Sequence, residues 1–306
     1  APAYPDGVII FLAQPPARWK PCLAGNRMQT GWPNPLTALR LISKRKLCFF
    51  ELHRPVDCAS FRHDPGPKRW NVGGIRVGLR LEGVVVLVGS YGSGKSEVAV
   101  NLAVHHRQAG MNVRMADLDL VNPYFRSREA ETQLTGLGID VVLPPRPYVQ
   151  SELPVLSPRV AGLIRQTEGL AILDAGGDAV GAMVLAALGN AFSGHPCQVL
   201  QVINPLRPDT STVAGCARIR QQIEASAKLA ITGLIGNANL IDETTPQVII
   251  DGYAFATQVS AASGLPLVFV TIAEELLPQV DPAKFDCPIL TIRRQLVPPW
   301  KRARKL

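Results

Sequence analysis

Residues 89 to 96 run Gly89-Ser90-Tyr91-Gly92-Ser93-Gly94-Lys95-Ser96 and satisfy the spacing G-x-x-x-x-G-K-[ST]. Glycines in such a run let successive backbone N–H groups turn inward around a phosphate, and a helix starting at its end adds its positive pole. Lys95 can then reach the β- and γ-phosphates of a nucleoside triphosphate, and the Ser96 hydroxyl can ligate Mg²⁺. We take this loop together with its neighbour Glu97 as the expected nucleotide contacts.

A phosphate loop alone does not make a hydrolase, so carboxylates matter next. Asp117-Leu118-Asp119 ends a short apolar run, and a period of two puts both carboxylates on one side of a strand end. One could support the water shell of a metal ion while the other orients an attacking water. Asp174 closes another apolar run, LAILD, at a place where an aspartate can hold Mg²⁺ through water. Gly176 and Gly177 behind it permit close backbone approach to a γ-phosphate. The plainer readings, solvated loop carboxylates for the pair and a helix cap for Asp174, stay open on sequence alone.

The elements that must position these residues can be read from Leu81 onward, where apolar runs alternate with helical stretches. VVVLVG (84–89) precedes a helix to about residue 108, NVRMAD (112–117) one over 127–134, and IDVVLP (139–144) one near 157–168. LAILDAGG (170–177) precedes a helix near 179–192, QVLQVINP (198–205) one from 209 to 228, and AITGLIGNAN (230–239) one from 245 to 263; LPLVFVTI (265–272) follows. Continuous apolar runs alternating with helices predict an α/β three-layer sandwich, a mainly parallel sheet with helices on both faces. Ligands of such sheets sit at the carboxyl ends of the strands, where every motif above falls.

In this order the motifs resemble the MinD/ParA-type P-loop ATPases, the group that includes the nitrogenase iron protein and related metal-centre maturation ATPases. The match comprises the phosphate loop, D-x-D after the second strand, an Asp followed by Gly-Gly, VINP (202–205) and GLIGN ending at Asn237. It covers residues 82 to about 290 and implies a SIMIBI-like P-loop NTPase fold that binds ATP and Mg²⁺ and hydrolyses ATP. The resemblance implies that Asp119 assists water activation, with Lys95 and Asp117 beside it, and that Ser96, Asp117 and Asp174 serve the metal. Asp174 with Gly177 would form a switch. Asn204 and Asn237 would lie near the base, where an asparagine amide can pair with the donor and acceptor edge of adenine. Leu240 stands three residues after Asn237, where a guanine-specific N-K-x-D motif has aspartate, so ATP is favoured over GTP.

The chain departs from that family at one point. The family's loop carries an early lysine that reaches across an ATP-sandwiched dimer, whereas Ser90 stands here and Tyr91 replaces the first glycine. A hydroxyl cannot neutralise developing phosphate charge. Arg126 or Arg128 could supply a cation instead, or could equally be surface arginines at a helix start.

Composition bounds the rest. The chain has 306 residues, 47% of them hydrophobic, and a net charge of +8. Residues 1–80 carry 13 Lys/Arg against 4 Asp/Glu, residues 291–306 carry 6 against none, and residues 81–290 carry 13 against 20. The body is therefore acidic and the basicity lives in the ends, which argues against a basic binding face built into the fold. Residues 1–80, rich in Pro, Arg and Trp, lack a sustained period and read as a poorly structured extension. Because the region begins without methionine, part of it is expected not to belong to the native protein. Residues 81–292 form the expected nucleotide-binding domain and 293–306 a basic tail. Six cysteines (Cys22, Cys48, Cys58, Cys197, Cys216, Cys287) without a C-x-x-C pair fit free thiols in a reducing, cytoplasmic setting, although Cys197 or Cys216 could bridge two subunits through a metal cluster. No run of 18 apolar residues appears.

Three functions compete at this stage. The first is an ATP-driven switch acting on a protein partner, with segments 122–128 and 176–181 ordered by nucleotide and a possible ATP-dependent homodimer. The second is an enzyme resembling dethiobiotin synthetase or cobyrinic-acid-type amidases, which activates a carboxylate with ATP and uses Arg126, Arg128 or Arg146 for its substrate. The third is a nucleic-acid or membrane tether built on the basic ends. Pro298-Pro299 breaks any helix before the KRARK cluster, which disfavours an amphipathic membrane helix there.

Overall fold

The computed structural model describes residues 78–119, 130–143, 158–177 and 179–296, with two-residue strand pieces at 9–10, 71–72, 75–76 and 155–156. Arg146, the whole of segment 122–128 with Arg126 and Arg128, nearly all of residues 1–77 and the KRARK cluster lie outside the described residues.

Eight strands make one sheet: β1 (Gly83–Val88), β2 (Val113–Leu118), β3 (Asp140–Val142), β4 (Leu170–Ala175), β5 (Cys197–Ile203), β6 (Gly233–Gly236), β7 (Leu267–Ala273) and β8 (Ile289–Ile292). Their spatial order is β8-β7-β6-β5-β1-β4-β2-β3. Every neighbouring pair runs parallel. The helices are α1 (Lys95–Gln108), α2 (Glu131–Gly136), α3 (Pro158–Arg165), α4 (Ala179–Ala187), α5 (Gly189–Phe192), α6 (Val213–Ala227) and α7 (Pro246–Ser263). The expected sandwich is thus the observed fold.

Alternation along β1 shows how both faces are filled. Val85 and Leu87 join Leu102, Met115, Ile172 and Phe269 in one apolar cluster, with α1 as its cover. Val84, Val86 and Val88 join Leu163, Leu173, Leu185, Phe192 and Ile223 on the opposite face, beneath α3 to α6. A central strand buried on both sides must be apolar throughout, which is why GVVVLV carries no polar side chain.

Several boundaries differ from the sequence reading. The helix expected from residue 209 starts at Val213, because Pro208–Thr210 forms a 3₁₀ turn and Thr212 caps α6 by accepting from Gly215 N. The single helix expected over 179–192 is two, α4 and α5, divided at Leu188. Strand β8 was not anticipated; four residues, half-buried and buried in alternation on an edge, are too few to announce a strand.

Both ends of the domain are fastened to α1. Leu81 N donates to His106 Nε2 at 2.9 Å, while His106 Nδ1 lies 3.0 Å from Leu102 O, a pairing that suits the neutral ring with its proton on Nδ1. Residues 293–296, which the sequence groups with the basic tail, run along the same helix. Arg293 N donates to Asn101 Oδ1 (2.8 Å), and Gln295 N and Leu296 N donate to the two oxygens of Glu97 (2.8 and 2.9 Å).

Candidate functional site

Residues 89–94 turn from β1 into α1, so the loop leaves the carboxyl end of the central strand and delivers Lys95 and Ser96 into the first helical turn. Gly94 takes a left-handed φ of 91° at the helix N-cap. Lys95 is buried and its Nζ donates to Ser90 O at 3.0 Å, so the ammonium sits inside the loop's own curve. Ser90 and Ser93 are buried, and neither hydroxyl oxygen has a hydrogen-bond partner. Tyr91, by contrast, is 71% exposed. The side chain at position 90 therefore points into the protein, so Ser90 is not placed to reach across to a second subunit.

The carboxylates converge on the same place. In the register of β2 against β4, Asp117 pairs with Asp174, and residues in register on adjacent parallel strands project to the same face. Asp174 is fully buried and neither of its oxygens has a hydrogen-bond partner. Burial, followed by the nearby charge of Asp117, pushes its carboxyl up to about 7; the Ser96 hydroxyl and the Lys95 ammonium offset this only in part. Asp119 is also buried, and its N–H donates to Asp117 Oδ1 at 3.0 Å. A Cβ added to Gly176 would lie 3.4 Å from Asp119 Oδ1, which puts this third carboxylate at the same strand ends.

Gly177 shows how tight the site is. A Cβ there would come 2.8 Å from Lys95 Nζ and 2.9 Å from Tyr91 Cα, so only glycine lets the segment after β4 lie against the phosphate loop. The structure therefore brings Lys95, Asp117, Asp119, Asp174 and Gly177 together. Lys95 and the three carboxylates are all buried at these strand ends. Among the described residues no group of three ligands is already arranged to hold a metal ion. Mg²⁺ commonly takes one or two protein oxygens and fills its octahedron with phosphates and water, and the orphaned oxygens of Asp174 beside Ser96 suit that mode.

No protein-family model matches the chain, and no curated protein does. Among solved structures, cell division protein FtsY from Thermotoga maritima is 17% identical, with a TM-score of 0.43 over 63% of this chain and 62% of that one. Chloroplast FtsY from Physcomitrella patens is 21% identical, with a TM-score of 0.45 over 67% and 63%. A nucleotide-binding protein from Archaeoglobus fulgidus, solved with ADP, is 17% identical, with a TM-score of 0.41 over 67% and 87%. The chain thus spans about three fifths of the FtsY structures, and overlaps this loose assign it no activity.

The remaining expected contacts have work within the protein. Glu97 turns away from the loop: its Oε1 accepts from Asn101 and Gln295 N and its Oε2 from Leu296 N. Burial holds its carboxyl above the usual range, against the pull of those hydrogen bonds. Asn204 Oδ1 accepts from Leu206 N at 3.1 Å and its Nδ2 donates to Asn239 O at 3.0 Å, so its amide ties two loops together. Asn237 Nδ2 donates to Ser93 O at 2.7 Å and its Oδ1 accepts from the Thr271 hydroxyl. This leaves its second N–H as the donor it can offer a base. Cys216 is buried with its thiol donating to Thr210 O, and burial pushes that thiol up to about 11, so it is not placed to bridge subunits. Thr271 and Arg207 are the residues that sequence reasoning missed; Arg207 Nε donates to Gly92 O at 2.9 Å.

Proposed function

We propose that the protein is a Mg²⁺-dependent ATP-binding protein and ATPase that works as a nucleotide-driven switch on a protein partner, in the manner of the MinD/ParA-type group of SIMIBI P-loop NTPases. The observation that carries the reading is the fully buried, unpartnered Asp174 at the mouth of the phosphate loop, beside Asp117 and within the field of Lys95. A buried acid in that state can be neutralised by a proton or by a cation, and Ser96, Asp174 and Asp117 are the residues that would hold Mg²⁺. When bound, Mg²⁺ would neutralise the phosphates that Lys95 and the loop N–H groups cradle.

Asp119 is the carboxylate left to orient a water, and Gly177, in contact range of Lys95, is the hinge that would respond to a γ-phosphate. Leu240 cannot accept from the N1 and N2 donors of guanine, which supports adenine. Asn237 then serves the base through its remaining N–H. Ser90 faces inward, so activation by a lysine from a second subunit is not available, and an ATP-dependent homodimer would have to be assembled by other contacts. No helix among the described residues is long and apolar enough to cross a membrane, and we place the protein in the cytoplasm on its free thiols.

The test is ATP turnover by the full chain with Mg²⁺, beside a Lys95→Ala variant, with mass followed by light scattering. Turnover lost in the variant supports the reading, and an ATP-dependent rise in mass adds the dimer. Turnover that appears only when a small carboxylate is supplied would replace the switch with a carboxylate-activating enzyme. Equal nucleotide binding by both proteins would overturn the site itself.

A further inference from the structure

Where a loop turns N–H groups inward around a phosphate, those of its carbonyls that turn outward need donors of their own. Two successive ones have them. Ser93 O accepts from Asn237, at the end of β6, and Gly92 O accepts from Arg207, in the turn after β5. Arg207 lies flat against the loop: a Cβ on Gly92 would stand 3.4 Å from its Nε and 3.7 Å from its Cδ and Cζ. Gly92 has a φ of +70°, a left-handed backbone that a side chain would strain, and the guanidinium stands in van der Waals range of that turn.

The turn that presents Arg207 is tied at several points. Pro205 and Pro208 flank Leu206-Arg207, Arg207 N donates to Asn204 O, and Thr210 donates to the same carbonyl through its hydroxyl at 2.6 Å. Asn204 holds the turn from the other side through Leu206 N. Among the described residues no carboxylate pairs with Arg207, and its two terminal nitrogens have no partner. A positive charge is thus fixed on the rim of a phosphate-binding loop by a purpose-shaped turn.

We propose that Arg207 is a positioning residue for nucleotide binding: it clamps the Gly92 carbonyl outward, holds the loop in its phosphate-binding shape, and supplies the rim with a cation from within the same chain. This rests on the nucleotide reading above. Because the clamp acts on the loop and not on the transferred phosphate, it serves ADP and ATP alike. Asn204 acts one step further back, by fixing the turn.

The experiment is calorimetric titration of the full chain with Mg²⁺-ADP and with a non-hydrolysable Mg²⁺-ATP analogue, alongside steady-state turnover. Wild type and Lys95→Ala come first, because absence of binding by wild type would fail the nucleotide reading and not this one. With wild-type binding in hand, Arg207→Ala is expected to weaken ADP and the analogue by the same factor, about tenfold, and to raise KM while leaving kcat within twofold. Arg207→Lys, which keeps the charge but not the planar donor, should recover part of the loss. Unchanged ADP affinity in Arg207→Ala, or a loss confined to the ATP analogue or to kcat, would overturn the proposal. Melting of the nucleotide-free variants near the wild-type temperature keeps the comparison valid, and the lysine variant serves if the alanine variant does not fold.

Discussion

The two sides of the phosphate loop are built on opposite rules. On the outer side the carbonyls of Gly92 and Ser93 and the carboxylate of Glu97 on the adjoining helix all have donors. On the inner side the hydroxyls of Ser90 and Ser93 and both carboxylate oxygens of Asp174 are buried with no hydrogen-bond partner. An unpaired buried polar group costs about 1–3 kcal/mol, more when charged, so a folded chain keeps such groups where something else completes them. The outer side is finished by the protein itself, and the inner side is where the proposed nucleotide and its cation would complete the polar groups.

The largest test of that contrast is Asp174→Asn. Removing the charge should lower Mg²⁺-nucleotide affinity by about 100-fold, an effect of about 3 kcal/mol on binding, read by calorimetry. The same variant should melt higher than wild type without ligand at pH 8, because it no longer buries an ionised carboxylate. A lower melting temperature would mean that the carboxylate is satisfied internally.

The pH dependence sharpens the same point. The Asp174 carboxyl is raised from 3.8 to about 7, so the folded protein binds a proton that the unfolded chain has lost. Its contribution to stability is fully present below about pH 4 and is lost as pH rises through 7. Mg²⁺ needs the ionised form, so nucleotide binding near pH 7 should release a proton, and affinity should fall as the solution is acidified below 7. Calorimetry in buffers of different ionisation enthalpy reads the released proton directly.

On the finished side, Glu97→Ala should destabilise the domain by about 3 kcal/mol, since hydrogen bonds to a charged group contribute about 1.5–3 kcal/mol. The shift would appear in the denaturant midpoint at unchanged slope. The smallest effect belongs to His106. Burial lowers its value, so its contribution is present above the usual histidine range and fades as pH falls below it. Replacing it with Gln should flatten that acid slope by about 1 kcal/mol, measured as melting temperature between pH 7 and 5.

The phosphate loop was legible in the sequence because its residues are contiguous and lie between a strand and a helix. Its convergence with the aspartates was legible only as a resemblance. What makes Asp117 and Asp174 neighbours is the insertion of β4 between β1 and β2, a crossover that local periodicity does not encode. Glu97 was assigned to the nucleotide by adjacency, but one residue along a helix is a turn of about 100°, enough to swing its carboxylate from the loop to residues 295 and 296. Asn204 was placed near the base, and its amide instead holds the turn that carries Arg207. Arg207 itself carries no pattern; two prolines and a turn-forming asparagine around a single arginine were the signal available.

The attachment of residues 293–296 to α1 also sets an order of completion during synthesis. Glu97 leaves the ribosome well before its partners, which follow 198 and 199 positions later. At about 5–20 residues per second that interval is about 10–40 s. Through it, the helix that begins with Lys95 and Ser96 presents a carboxylate whose backbone donors have not yet been made. Helix α1 is therefore among the last elements to be finished, and it gains its full set of partners only when residues 293–296, beyond the final described strand, have emerged.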